Sequence, residues 1–437
     1  MFTWPVYTRI RTVLVIALWL GLYAGNGIAF SQVRYNSSGI QEELVYDNLI
    51  RTVLFNNAKD PLSEPVMPLT AANGELLLSF DDFSKNNRDL RYTIVHCDPE
   101  WNPSRLFEAD YIKGFPQNVL RNYKFSGNTL ISYKHYVLAF PNNDCRPLYS
   151  GNYILKVFEG VQKDKPVFVK RFFVTEPVFS IDGRVQKARG DQSDELQEIL
   201  FKVNTGRTPV NNPANDVKVV IRQNGDFNRQ ITGLRPVSVR PGELDYYLNS
   251  GNRFGGGNEY RYADFTNYRV SRGNISGISK TPETYRFMLN VDSPRNINSY
   301  LTREDLNGKY IINTDMSSSP EFDAEYVEAV FTLIASEPLP DGDVYLYGNL
   351  TGYTSLPSSR MDYFADEGYY QVSLLLKQGF YSYMYAFKPS GSNRPDTSVI
   401  EGNYYQTENF YEIFLYYKKP GDRYDRLAGY LKLNSAN

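Results

Sequence analysis

The side chains that could do acid–base or metal chemistry are few, because the 437 residues include only two histidines and two cysteines. His96 and His135 are the available imidazole bases, and neither stands in a serine, cysteine or aspartate triad context. His96 and Cys97 are neighbours in a strand-like run, so their side chains should point to opposite faces of a sheet. That geometry disfavours a zinc site made from the two histidines and the two cysteines. We therefore expect both histidines to be structural.

Carboxyl groups offer a second kind of chemistry. Asp81 and Asp82 are adjacent, and Asp98 and Glu100 follow within twenty residues. Glycoside hydrolysis needs two carboxyl groups about 5–10 Å apart in a cleft, and spacing along the chain does not establish that distance. Adjacent aspartates at a strand end are more often turn formers. Calcium-loop and nucleophile-elbow motifs are absent from the sequence. We predict that the protein is not an enzyme and uses no metal or cofactor.

The elements that would position these residues are predicted to be strands. Aromatic residues make up 15% of the chain, with 36 tyrosines, and such enrichment is typical of β-sheets. The formal net charge of −2 excludes the basic footprint of a nucleic-acid binder. Short runs bounded by Asn, Asp, Gly and Pro favour an all-β fold of tandem immunoglobulin-like or E-set-like antiparallel β-sandwich modules. We predict an N-terminal module at 32–176, a middle module at 177–322 and a C-terminal module at 323–437.

The first residues have the pattern of a targeting segment. Arg9 and Arg11 precede an apolar run at 12–22, and small residues near 27–31 offer a cleavage site. This layout predicts a cleaved signal peptide at 1–31, with an uncleaved anchor as the alternative. Export would place the mature chain in the periplasm or beyond it.

The two cysteines would then lie in an oxidising compartment. An even count permits a disulfide between Cys97 and Cys145. The alternative is two buried thiols that never meet, because spacing alone does not bring the Cα atoms within bonding range.

One long connection interrupts the sandwich pattern between Asp98 and Thr129. Connections longer than about 15 residues are usually functional or disordered, and this one has the composition of an ordered segment. Its aromatic residues are Trp101, Phe107, Tyr111, Phe115, Tyr123 and Phe125. Two interpretations stay open, a flap that packs over the end of the sandwich and a docking surface.

Several sequence blocks give the chain a family resemblance. The blocks in the first module are SFDDF (79–83), HCDPEWNPS (96–104), DYIKGF (110–115), SYKHY (132–136) and YSGNY (149–153). Together with later blocks they span 49–431, and in this order they resemble the plug proteins of the type IX secretion system of Bacteroidetes-type bacteria. The signature positions, which are also possible docking residues, are Asp81, Asp82, His96, Asp98, Trp101, Phe107, Tyr111, Phe115, His135 and Tyr136.

The resemblance implies that the protein functions by binding to a partner and blocking it, and not by catalysis. It implies a non-enzymatic periplasmic plug at the inner face of the outer membrane. The plug would bind and seal the periplasmic end of the giant outer-membrane β-barrel translocon when no cargo is exported. It would not insert into the membrane itself, and it would be a monomer when free.

A second resemblance suggests an alternative function. The blocks at 344–353, 360–376 and 379–387 are similar to starch- and glycogen-binding β-sandwich modules, although Gly352 and Tyr353 stand where those modules usually carry a tryptophan. The alternative is therefore a periplasmic or surface carbohydrate-binding protein. An outer-membrane barrel is a further alternative, and the absence of regular ten-residue amphipathic strands disfavours it.

Overall fold

A computed structural model describes residues 43–247 and 249–436. The signal peptide predicted at 1–31 lies outside the described residues. The prediction of an all-β fold made of antiparallel sandwiches is confirmed, and the α-helices described are single four-residue turns. These helices are Glu108–Tyr111 (α1), Pro213–Asp216 (α2), Pro320–Asp323 (α3) and Ser398–Glu401 (α4).

The first sandwich is built from the chain between Ile50 and Thr175. Its strands are Ile50–Asn57 (β1), Val66–Pro68 (β2), Leu76–Asp82 (β3), Leu90–Cys97 (β4), Ile112–Gly114 (β5), Asn118–Val119 (β6), Tyr123–Phe125 (β7), Lys134–Phe140 (β8), Cys145–Pro147 (β9), Gly151–Glu159 (β10) and Pro166–Thr175 (β11). One sheet has the order β1-β3-β8-β7 and the other β2-β11-β10-β4-β6. Strands β5 and β9 form a separate two-stranded ribbon.

The second sandwich begins after a short connection that follows Thr175. Its first strands are Ser180–Lys187 (β12), Leu196–Asn204 (β13), Val217–Gln223 (β14), Gln230–Ile231 (β15), Ser238–Arg240 (β16), Glu243–Asp245 (β17) and Arg253–Gly255 (β18). The sheet therefore changes between Thr175 and Ser180.

A third sandwich follows before the second is complete. Its strands are Arg261–Asp264 (β19), Ile275–Lys280 (β20), Tyr285–Leu289 (β21), Tyr310–Ile312 (β22), Tyr326–Ile334 (β23), Gly342–Tyr347 (β24), Asp362–Phe364 (β25), Tyr369–Lys377 (β26) and Gly379–Pro389 (β27). One sheet has the order β20-β21-β23-β26-β25, and the facing strands pair around β27.

The chain then returns to the second sandwich with Phe410–Tyr417 (β28) and Arg426–Asn434 (β29). These strands extend the sheet β15-β14-β28-β29, in which Val217 pairs with Tyr417 and Gln223 with Tyr411. The third sandwich is therefore inserted into the second. This corrects the boundary predicted at 322/323, because the strands at 261–289 belong to the third sandwich and those at 410–434 to the second.

Apolar packing joins the first and second sandwiches face to face. Tyr153, Leu155 and Val157 on one side of β10 lie in the core of the first sandwich. Ile154 points the opposite way, as alternation along a strand requires, and packs in a cluster with Phe414 of β28. Strand β10 is therefore buried on both sides, which explains why apolar residues fill positions 153–155 and 157–158.

Candidate docking surface

The connection from Asp98 to Thr129 begins with a tight turn. The Asp98 carboxylate oxygen Oδ1 accepts hydrogen bonds from the backbone N–H groups of Glu100 at 3.0 Å and Asn102 at 2.8 Å. Trp101 stands in the left-handed region at φ 68°, which a bulky residue adopts only when its surroundings hold it there. The turn therefore directs the Trp101 indole inward, so Asp98 has a structural role.

Trp101 lies between the first and second sandwiches and is only 7% exposed. Its ring meets Phe173 of β11 at 5.3 Å and Phe227, which follows β14, at 5.6 Å, both edge to face. The guanidinium of Arg171 lies 4.6 Å from the ring centroid. Because these groups cover the indole, Trp101 cannot contact a partner in this conformation. This corrects its place among the possible docking residues.

Tyr111 is also buried, at the base of the β5–β9 ribbon. Its hydroxyl donates to the backbone oxygen of Ile94 at 3.4 Å, and its ring packs in the first core 6.1 Å from Tyr153. Tyr111 is therefore a core residue, so the flap interpretation holds for this part of the connection.

Two other aromatic residues of the connection face outward from the same ribbon region. Phe107 is 75% exposed and Phe115 is 64% exposed. The backbone N–H of Phe107 donates to the Asp110 carboxylate at 3.0 Å, and that of Phe115 donates to the Asp144 carbonyl at 2.7 Å. The rings are thus presented on backbone that is held by hydrogen bonds. They are the aromatic signature residues of the connection that a partner could reach, and Phe125 further along the connection is 65% exposed.

Asp81 belongs to a buried charged cluster between the first and third sandwiches. Its carboxylate accepts hydrogen bonds from Lys377 Nζ at 2.7 Å and from the Tyr326 hydroxyl at 2.7 Å. The Nδ1 atom of His135 lies 2.6 Å from its other oxygen. Asp81, Tyr326 and Lys377 are almost fully buried. This cluster attaches the inserted sandwich to the first one, and it gives His135 the structural role that the sequence predicted.

Asp82 and Tyr136 are buried residues that stabilise the first sandwich by internal contacts. Asp82 accepts hydrogen bonds from the backbone N–H and the hydroxyl of Ser84, at 2.9 and 2.6 Å. Tyr136 stacks on Phe80 with ring centroids 4.9 Å apart. Asp81 and Asp82 are adjacent on β3 and each is engaged in its own buried contacts, so they do not form a carboxylate pair in an open cleft.

His96 is buried in the first sandwich with one ring nitrogen unpaired. Its Nε2 lies 3.1 Å from the Ser150 carbonyl, which can only accept, so Nε2 carries the proton. Within the described ranges, Nδ1 has no hydrogen-bond partner. Burial lowers the pKa of His96 to about 4, because the positive charge of the doubly protonated ring would be poorly solvated there. No acceptor among the described residues would receive the second N–H, at Nδ1.

We expect His96 to remain neutral in the folded protein until the pH approaches 4. The unfolded chain takes up this proton near pH 6.5, so it binds more protons than the folded chain between those values. The free energy of unfolding should therefore fall by about 3 kcal/mol from this residue as the pH drops from 6.5 to 4. The ¹H–¹⁵N signals of its imidazole report the titration, and a His135→Asn variant assigns the two histidines. A His96 midpoint near 6.5 would contradict the prediction.

The two cysteines are separate free thiols, so the disulfide that their number permits is not formed. Cys145 lies in the core of the first sandwich, whereas Cys97 faces the cluster shared with the second sandwich. They thus belong to different apolar clusters. Burial raises the pKa of each thiol to about 12, which leaves both unreactive.

A second buried charge cluster joins all three sandwiches and was not predicted from the sequence. Arg222 of β14 donates to Glu412 of β28 at 2.7 Å and to Glu64 at 2.9 Å. Lys309, which precedes β22, lies 2.8 Å from Glu64. Although burial opposes it, the cations Lys309 and Arg222 lower the pKa of Glu64 to about 2. These partners are 158 to 245 residues apart, so no local pattern could have indicated them.

The sugar-stacking platform expected of a starch-binding module is not formed at Tyr353. This ring is buried and meets Tyr347 at 5.6 Å, edge to face. Its hydroxyl donates to the Asn224 carbonyl at 3.2 Å. Tyr353 therefore contributes to the contact between the second and third sandwiches and is not available for a sugar ring.

The described residues contain neither a candidate membrane-spanning helix nor a candidate metal cluster. No helix in this part of the chain is long and apolar enough to span a membrane. In the same residues, no three His, Cys, Asp or Glu side chains are grouped so that they could hold a metal ion.

Comparison with known proteins gives two matches of consequence. A family model described as the first domain of the type 9 secretion system plug protein matches residues 50–176. The crystal structure of a hypothetical protein from Parabacteroides merdae ATCC 43184 is 32% identical, with 89% of this chain and 98% of that chain covered and a TM-score of 0.85. A third match is the BSP domain of a biofilm-associated protein, which is 8% identical, with 92% of this chain and 60% of that chain covered. Its TM-score of 0.20 is too low to bear on the fold. No curated protein matches the chain.

Proposed function

Because this chain belongs to the type IX secretion system plug protein family, we propose that it is the non-enzymatic plug of the giant outer-membrane β-barrel translocon. It binds the periplasmic end of that barrel and closes it when no cargo is exported. The observation that carries this proposal is the family match over the first sandwich, the part that also presents the exposed rings of Phe107 and Phe115.

A plug must resist deformation, since a barrel wide enough for folded proteins leaks small molecules around a soft obstruction. The three sandwiches are joined by buried charges as well as by apolar packing. Asp81 and Lys377 join the first to the third, and Arg222 joins the second to Glu64 of the first. Isolated domains on flexible linkers lack such contacts. These interfaces support the proposed role of a rigid stopper.

Docking is proposed to use the β5–β9 end of the first sandwich. Exposed aromatic rings are the residues that most often dominate binding energy at interfaces. Phe107 and Phe115 are such rings on ordered backbone, whereas Trp101 and Tyr111 hold the surface beneath them in place. Release then requires that a cargo-bearing state of the translocon binds the plug more weakly than the resting state does.

The proposed location is the periplasm, at the inner face of the outer membrane. The segment at 1–31 would act as a cleaved export signal, and the mature chain would be a monomer until it meets the translocon. It would not insert into the bilayer.

An affinity pull-down tests the partner. The tagged mature chain is captured from detergent-solubilised envelopes of its own host, and the bound proteins are identified by mass spectrometry. We expect one very large outer-membrane barrel to be the dominant partner. Recovery of glycan-uptake proteins, or of no barrel, would refute the proposal.

Sealing is tested separately from binding. The purified translocon is placed in liposomes loaded with a small dye, and leakage is followed with and without the plug. We expect the plug to suppress leakage at concentrations that saturate binding. Binding without suppression would show that the protein is a subunit of the translocon but does not close it.

A further inference from the structure

The β5–β9 ribbon has one face packed on the first sandwich and one face open. Side chains alternate between the two faces along each strand, and Ile112, Cys145 and Pro147 are buried on the inner face. The positions between them, Lys113 and Arg146, therefore stand on the outer face. Among the described residues, no third strand pairs with the ribbon.

The outer face carries two cations at directly opposite positions. Lys113 and Arg146 are register partners in the antiparallel ribbon, and like charges placed in this way repel each other. Neither cation forms an ion pair within the described part of the chain. The Arg146 guanidinium donates instead to the Ala71 carbonyl at 2.6 Å and to the side-chain oxygen of Asn73. Both acceptors are neutral, so they leave the positive charge of the ribbon unbalanced.

The acidic residues of this region do not compensate that charge. Glu108 pairs with Lys163 at 2.9 Å, and Asp110 pairs with Arg423 at 2.9 Å. Asp144, which precedes β9, is exposed and forms no ion pair with any described residue. One free carboxylate against two cations leaves this face with a positive charge.

Apolar side chains flank the two cations on the same face. Phe115 stands two residues after Lys113, and Leu148 stands two residues after Arg146, so alternation places both on the outer side. Phe115 is mostly exposed, and Leu148 is 42% exposed. The backbone N–H of Leu148 donates to the Tyr111 carbonyl at 2.9 Å, which continues the ribbon pairing through this residue. The outer face therefore combines positive charge with apolar surface on backbone that is held by hydrogen bonds.

A partner that fits this face carries carboxylates beside an apolar recess. Its carboxylates relieve the repulsion between Lys113 and Arg146, and its recess covers the Phe115 ring. Such complementarity of charge speeds association and disfavours wrong partners. We propose that the periplasmic end of the translocon presents an acidic and apolar patch to the outer face of the β5–β9 ribbon. This proposal rests on the proposed plug function, because it specifies the chemistry of the partner at the same docking surface.

The dependence of affinity on salt tests this proposal, with surface-attached plug and detergent-solubilised translocon. We expect the Kd of the wild type to rise at least ~10-fold from about 0.05 M to about 0.5 M NaCl, because salt screens exposed charges. Lys113→Glu reverses one charge, so it should weaken binding at low salt at least ~10-fold and flatten the salt dependence. It should unfold at no lower urea concentration than the wild type, because a glutamate opposite Arg146 forms an attracting pair.

Lys280→Glu is the matched control, because it reverses an exposed lysine on β20 of the third sandwich. It should leave both the affinity and the salt dependence unchanged. The proposal is overturned if wild-type binding does not depend on salt, if Lys113→Glu binds as tightly as the wild type, or if Lys280→Glu weakens binding as much. In each of these cases the plug still binds the translocon, so the plug function stands. A wild-type chain that does not bind at any salt concentration refutes the plug function, and this proposal falls with it.

Vesicles that contain phosphatidylglycerol test an anionic lipid headgroup as another partner for the same face. We expect the wild type and Lys113→Glu to bind these vesicles equally weakly. If Lys113→Glu abolishes binding to the vesicles and leaves the affinity for the translocon unchanged, the face belongs to a lipid contact and the proposal is overturned.

Discussion

Replacing Lys377 with methionine is expected to lower the free energy of unfolding by about 3–5 kcal/mol. Lys377 Nζ donates to Asp81 at 2.7 Å and to the Glu321 carbonyl at 2.6 Å, and it lies 4.3 Å from the centroid of the Tyr133 ring. Methionine fills the same space without the charge, so the Asp81 carboxylate stays buried and loses its cation. Urea denaturation followed by tryptophan and tyrosine fluorescence measures the effect.

Two further variants serve as controls for the Lys377→Met result. Lys163→Met removes a lysine from an exposed pair with Glu108, at 2.9 Å, and should cost less than about 1 kcal/mol. Asp81→Leu combined with Lys377→Met removes both charges and should be more stable than Lys377→Met alone, since no uncompensated charge remains. If Lys377→Met unfolds at the same urea concentration as the wild type, the cluster does not hold the inserted sandwich in place.

Replacing both Phe107 and Phe115 with serine is expected to weaken binding to the translocon by roughly 1000-fold. The magnitude follows from about 2 kcal/mol for each aromatic hot spot, with every 1.4 kcal/mol worth a factor of ten. Both rings are mostly exposed, so the variant should fold normally. Surface-attached plug and detergent-solubilised translocon give the affinity, and circular dichroism verifies the fold.

A matched control for this experiment is Phe364→Ser, which removes an exposed ring from β25 of the third sandwich. It should leave the affinity unchanged. If the Phe107 and Phe115 double variant binds as tightly as the wild type, docking uses another surface. If Phe364→Ser weakens binding equally, the effect is not specific to the β5–β9 end of the first sandwich.

The aromatic connection shows the limit of prediction from sequence at the site. Trp101, Phe107, Tyr111 and Phe115 are similar in type and close in sequence, so composition did not distinguish a packed flap from a docking surface for any of the four. In the structure the left-handed turn at Trp101 and the helical turn at Tyr111 direct two rings inward and leave the other two exposed. Local backbone conformation therefore decides which rings are buried and which are exposed, and composition carries no information about that conformation.

The buried charges illustrate the same limit at a longer range. Asp81 was identified as a signature residue, but its partners Tyr326 and Lys377 are 245 and 296 residues further along the chain. The sequence suggested neither partner, because a contact between sandwiches depends on how whole sheets are placed. His135, its near neighbour across β3 and β8, was correctly expected to be structural.

By itself the sequence determined the all-β fold and the family. These properties follow from alternation of polar and apolar residues, from turn-forming residues and from blocks in a set order, all of which are local. Only the tertiary structure decided that β28 and β29 return to pair with β14 and that the cysteines lie in separate clusters. Those properties depend on contacts between residues far apart in the chain, and such contacts are selected by the burial of complete sheet faces and not by any short stretch of sequence.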